Sequence, residues 1–152
     1  MKVTLIAGST RPDASTTKLC HYIASLLNEQ GHETEVFNLQ EHVLPLYGPG
    51  EAYGHEEVQK LSTAAKSADA LVLATPEYHG SLSGVLKNAL DFLNSESFNN
   101  KAVLSANSAG GVVGTASLLH LQTIVRNLHG INCPEWISIG GAQREFDSEI
   151  GR

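Results

Sequence analysis

The sequence holds only two cysteines in 152 residues, Cys20 and Cys133. Two are too few for a disulfide framework, and they lack metal-ligand spacing, so both read as buried or idle thiols in a reducing compartment. Basic side chains are also scarce. Ten Lys and Arg face sixteen Asp and Glu, a net charge of −6, which excludes the basic face of a general nucleic-acid binder. No apolar run reaches membrane-spanning length, and the opening MKVTLIAGS is too short and polar for a secretion signal. The expectation is a cytoplasmic protein with no membrane partner. The histidines at 21, 32, 42, 55, 79, 120 and 129 are scattered. No pair has metal-site spacing on one helix face, so no metal is expected. Repeats, low-complexity tracts and linkers are absent too, which leaves one domain over residues 1–152.

What is present is an alternation of apolar strands and amphipathic helices. KVTLIA (2–7), TEVFNL (34–39), ALVLAT (70–75), KAVLSAN (101–107) and PEWISIG (134–140) read as strands. Leu19, Tyr22, Ile23, Leu26 and Leu27 fall on one helix face, and Gly31 is a natural stop after it. Val58, Leu61, Ala65 and Ala68 mark a second helix, Leu82 to Leu93 a third, and Ala116 to Leu128 a fourth. Residues 40–55, with Pro45, Gly48, Pro49, Gly50 and Gly54, read as a loop. This pattern predicts an α/β fold, a doubly wound sheet of five parallel strands with helices on both faces. In such a sheet the ligand site lies beyond the carboxyl ends of the strands, at a topological switch point.

Three loops therefore carry the functional expectation. The first, GSTRPDASTT (8–17), holds five hydroxyls and Arg11 between a strand end and a helix start. Helix N-termini hold phosphates well, and Ser9, Ser15, Thr16 and Thr17 can add donors. The plainer use is an N-cap, for which Ser15 or Thr16 alone suffices. The loop has neither the G-x-x-x-x-G-K-[ST] nor the G-x-G-x-x-G pattern. A phosphatase nucleophile is excluded as well, since Cys20 lies well inside the helix.

The second loop, TPEYHGSLSG (75–84), opens with Pro76, expected to end regular strand pairing. Tyr78 and His79 then face the crevice, with Gly80 allowing close backbone approach, a surface suited to a flat heteroaromatic ring. Taken singly, Tyr78 also fits a half-buried rim tyrosine and His79 a solvent-facing one. Glu77 is a lone candidate for a general base. GSLSG is not a nucleophile elbow, because its central residue is Leu82; Ser83 reads as a helix N-cap. The third loop, SAGGVVG (108–114), offers backbone N–H donors for ring oxygens that gain charge.

GSTRPDASTTKL near the N-terminus and ATPEYHGSLSGVLKNALDFL after the third strand resemble the NADPH-dependent FMN reductase family of flavodoxin-like proteins. That family includes flavin, quinone, azo and chromate reductases, and the resemblance spans strands one to five. It implies that Ser9, Arg11, Ser15, Thr16 and Thr17 hold the FMN phosphate. It implies that Pro76, Glu77, Tyr78, His79 and Gly80 line the flavin, largely through backbone, and that Ser108, Gly110 and Gly111 approach its pyrimidine end. Family members often carry asparagine where His79 stands. They usually add a helix after strand five, whereas this sequence stops at QREFDSEIGR, so the last helix is expected to be missing or short.

The resemblance further implies hydride transfer from NADPH to FMN and on to a small-molecule acceptor: a quinone, azo compound, metal oxyanion or free flavin. No side chain is expected to act as a nucleophile or other catalytic group. It also implies a homodimer or homotetramer, with the helix from Ser83 to Leu93 near the interface. The rival expectations are a non-enzymatic FMN electron carrier and an FMN-binding redox sensor.

Overall fold

A computed structural model describes residues 1–145. β1 (Lys2–Ala7), β2 (Glu33–Asn38), β3 (Ala70–Pro76) and β4 (Ala102–Ala109) form where the apolar runs predict. The strands run parallel in the order β2-β1-β3-β4, with the fifth place beside β4. That order, with its reversal at β1/β3, is the flavodoxin-like one. The fifth place is filled in two pieces, β5 (Ile131–Asn132) and β6 (Ile137–Gly140), both parallel to β4. β4 advances from Val103 to Ala106 while the edge advances from Asn132 to Ile137, so the edge bulges between them. Pro134 lies in the bulge, where its missing N–H breaks no ladder bond.

The helices are α1 (Ser15–Glu29), α2 (Glu56–Ser67), α3 (Gly84–Asp91), a short α4 (Ser95–Phe98) and α5 (Ala116–Asn127). Leu19, Cys20, Ile23 and Ala24 of α1 cover one face of the sheet, against Val3, Leu5, Val72, Ala74 and Ala106. The other face is covered by Leu61, Leu86, Leu90, Phe98, Leu121 and Val125, drawn from α2 to α5. Helices thus lie on both faces, as the alternation requires. β6 leads into a single 3-10 turn, Gly141–Arg144. The expectation of a missing or short last helix falls largely on residues 146–152, outside the described residues. No helix among the described residues is long and apolar enough to cross a membrane.

Gly8 is where the first loop meets the core. A Cβ there would stand 2.7 Å from the Ala74 carbonyl and 2.8 Å from Leu86 Cβ, so only glycine fits. Its N–H donates to that same Ala74 carbonyl at 2.8 Å, extending β1 by one residue into the loop.

Candidate functional site

Beyond the carboxyl ends of β1, β3 and β4 lies a cavity of about 330 Å³. The first loop contributes Ser9 and Arg11 through Thr16, the second Pro76, Glu77 and Tyr78, and the third Ser108 and Gly110; Arg144 closes it. Of the residues singled out from sequence, Thr17, His79, Gly80 and Gly111 stand outside this lining. Arg144, in the turn after β6, is a wall residue that the sequence motifs did not single out.

The first loop does not cap its helix as a Ser/Thr N-cap would. The N-cap position is Ala14, in an extended conformation and with no side-chain bond. Neither Ser15 nor Thr16 takes that role, because both already lie inside the helix. The first intrahelical bond runs from the Lys18 N–H to the Ala14 carbonyl at 3.0 Å, so the amides before it have no acceptor within the helix. The Thr17 hydroxyl is buried without a partner among the described residues. Ser9, almost fully buried, accepts the Arg11 N–H at 3.2 Å, which folds the loop back on itself. A positive helix end, unsatisfied amides, the Ser15 and Thr16 side chains and a guanidinium line the cavity together and form a donor set for a phosphate.

The second loop departs from expectation at Pro76. Pairing does not end there: Pro76 stands opposite Ser108 in the ladder, and the Glu77 N–H donates to the Ser108 carbonyl at 2.9 Å. The missing N–H of Pro76 falls on the β1 side, where β1 has already ended. The nearby Gly8 carbonyl instead accepts the Ser83 hydroxyl at 2.6 Å. That hydroxyl also receives the Leu86 N–H at 3.2 Å, so Ser83 caps α3 and ties it to the first loop.

After the ladder, the Tyr78 and Ser81 backbones exchange hydrogen bonds of 2.9 and 3.0 Å around His79-Gly80. Both central residues have positive φ, 50° at His79 and 71° at Gly80, which makes a type I′ turn. Such a turn favours Asn-Gly, and histidine is among the few other side chains enriched at positive φ. Gly80 therefore serves conformation more than close approach, since a Cβ there would meet only Ala116 Cβ at 3.9 Å. The Ser81 hydroxyl bonds His120 Nδ1 at 3.0 Å, fastening the turn to α5.

Glu77 is not placed as a general base. Its Oε2 accepts the Ser117 N–H at 3.0 Å, the Ser117 hydroxyl at 2.8 Å and the Asn107 amide at 3.3 Å. Ser117 lies in the first turn of α5, whose N-cap Thr115 makes no side-chain bond. The carboxylate thus supplies the missing cap and meets the positive helix end. Asn107 also donates to the Gly114 carbonyl at 2.8 Å, and Ser138 Oγ donates to the same carbonyl at 3.0 Å. Gly114 has no room for a Cβ, which would lie 2.7 Å from Ala109 Cβ and 2.9 Å from the Glu77 carboxyl. The second and third loops are therefore locked to each other beneath the cavity.

Cys20 is fully buried in the α1 face, and burial pushes its thiol up to about 12. It is packing, not a nucleophile.

A family model for the NADPH-dependent FMN reductases matches residues 1–144. The chain is 40% identical over 144 residues to an FMN-dependent NADPH-azoreductase of Staphylococcus saprophyticus, covering 91% of this chain and 76% of that one. It is similar in structure to FerB, a flavoenzyme NAD(P)H:acceptor oxidoreductase of Paracoccus denitrificans. The TM-score is 0.76 at 26% identity, over 89% of this chain and 77% of that one. An archaeal flavodoxin superposes with a TM-score of 0.69 at 14% identity, over 99% of this chain and 91% of the flavodoxin, a likeness of fold alone. With two sequence motifs, a flavodoxin-like strand order and a family match along nearly its whole length, the chain belongs to the NADPH-dependent FMN reductase family.

Proposed function

We propose that the protein is an NADPH-driven azoreductase working through FMN bound in the cavity. The observation that carries this is the first loop, where the uncapped start of α1, Ser9, Arg11, Ser15 and Thr16 line one cavity. In this reading Ser9, Arg11, Ser15, Thr16 and Thr17 hold the FMN phosphate. Pro76 to Gly80 line the ring. Tyr78 and Ser81 spend their backbone bonds within the hairpin, so the His79 and Gly80 amides remain for the ring's polar edge. Ser108, Gly110 and Gly111 face its pyrimidine end.

Bound FMN would supply the two-electron chemistry between NADPH and the acceptor. The chain's own residues bind, orient and shield. Glu77 and Asn107 hold the two ring-facing loops in register, and no side chain has to donate or abstract a proton for the hydride step. Azo compounds are favoured as acceptors by the name of the 40% identical relative. The exposed ring of Tyr78 and the exposed Val112 and Val113 beyond Gly110 offer flat apolar surface for such molecules.

Purified protein mixed with FMN, NADPH and an azo dye tests the reading. Dye and NADPH should disappear together in a fixed ratio, and only when FMN is present. FMN binding without NADPH oxidation would leave an electron carrier; turnover of quinones with none of azo dyes would remove the acceptor assignment.

We also place a subunit contact on α3 and the loop before α2. Val43, Leu46, Tyr47, Tyr53 and Val85 are exposed there, and the Tyr47, Tyr53 and Phe92 rings cluster within 5.3–6.0 Å of each other. Apolar surface gathered in this way marks an association face. A light-scattering mass equal to one chain at micromolar concentration would contradict it.

A further inference from the structure

We propose that Arg144 is a positioning residue for the pyrimidine end of the flavin, its guanidinium set to meet the negative charge that the ring gains at N1 and O2 on reduction. The inference rests on the FMN reading above. Arg144 lines the cavity, and its Nε is buried without a partner among the described residues. A buried guanidinium N–H left unpaired is costly, so a ligand acceptor is the natural partner.

Its approach is fixed by the fold. Gly140, the last residue of β6, stands opposite Ala109 in the ladder. A Cβ on Gly140 would run into the Gly111 and Val112 carbonyls, so the turn that follows rests directly on the third loop. The Gly140 N–H donates to Gln143 Oε1 at 3.2 Å, which closes the turn Gly141–Arg144. Arg144 is thereby delivered to the Ser108–Gly110 side of the cavity. Arg11 arrives after β1, and β3 and β4 lie between β1 and β6, a separation of about 14 Å at the usual strand spacing. The two cations therefore serve opposite ends of the cavity. Arg11 sits with the phosphate-type donors and Arg144 with the backbone that faces the ring.

A fixed positive charge beside N1 favours the reduced ring over the oxidised one. A contact to the phosphate would act equally in both states. The distinction makes the test.

Arg144→Gln and Arg144→Lys are compared with the wild-type chain by FMN titration in the oxidised state and by redox equilibration of the bound flavin against a reference dye. Arg144→Gln is expected to weaken reduced FMN about tenfold more than oxidised FMN, which lowers the two-electron midpoint potential by about 30 mV. Arg144→Lys, which keeps the charge, should recover most of that shift. An unchanged potential in Arg144→Gln overturns the proposal, whether oxidised and reduced FMN are weakened equally, as a phosphate contact would cause, or not at all. Failure of the wild-type chain to bind FMN would overturn the cofactor reading and this inference with it. Binding with an unshifted potential in the variant removes only the role of Arg144.

Discussion

Replacing Glu77 with alanine separates a cap from a catalyst. The carboxylate accepts three hydrogen bonds, from the Ser117 N–H, the Ser117 hydroxyl and the Asn107 amide, at 2.8–3.3 Å. Truncation removes all three and leaves the first turn of α5 without a side-chain cap, since Thr115 provides none. Hydrogen bonds to a charged group contribute about 1.5–3 kcal/mol, and a helix cap about 1 kcal/mol. The same donors serve both roles, so the two figures overlap and the expected loss is about 2–3 kcal/mol. For a domain of this size each kcal/mol lowers Tm by about 2–4 °C, which places Glu77→Ala about 5–10 °C below wild type. Glu77→Gln keeps the shape and one acceptor oxygen but loses the charge, so its expected cost is about 1 kcal/mol. Thermal melting followed by circular dichroism measures both variants, and FMN titration at a temperature where each is folded reads the loop register. Glu77→Ala should bind FMN more weakly, because the second and third loops lose their shared tie. A melting point within about 1 °C of wild type combined with collapsed turnover would refute the capping account and return Glu77 to the chemistry.

Gly8→Ala should destabilise by about 1–3 kcal/mol, the cost of overpacking, because its methyl would press on the Ala74 carbonyl and Leu86; a wild-type melting curve would contradict this close approach. Thiol titration of the native protein should find Cys20 unreactive, since burial raises its pKa to about 12, while Cys133, half-buried and raised by burial and then Glu135, should react slowly. Rapid labelling of Cys20 without denaturant would refute the packing assignment. Gly80→Val should disrupt the His79-Gly80 turn, which needs positive φ at both residues, and should lower FMN affinity with only a small change in Tm. Unchanged affinity would detach this turn from the ring.

The strands of the core were legible because burial on both faces writes itself as uninterrupted apolar runs: KVTLIA and ALVLAT could hardly be anything else. Ser83 was legible as a cap because capping is local. Features decided by distant contacts were hidden. The ladder continues through Pro76 because β1 has already stopped on that side, which no reading of Pro76 alone reveals. Glu77 looked like a free carboxylate; its partners Asn107 and Ser117 lie 30 and 40 residues away and meet it only in the folded sheet. Ser15 and Thr16 have the right chemistry for an N-cap, but α1 already begins at Ser15, which leaves the cap position to Ala14. Arg144 reaches the cavity only because β6 aligns with the end of β4. The place of the three loops beyond the strand ends marked them in the sequence; three-dimensional pairing decided which atoms in them remain available.

The central claim is that this cavity holds FMN in a form that NADPH can reduce. Anaerobic mixing of the FMN-loaded protein with NADPH, followed by flavin absorbance, tests it most directly. The account predicts that the yellow flavin bleaches as NADPH is consumed, and that Arg11→Ala, which removes the guanidinium of the first loop, raises the Kd for FMN severalfold. FMN that stays yellow in the presence of excess NADPH, or that binds equally well to Arg11→Ala, would contradict it.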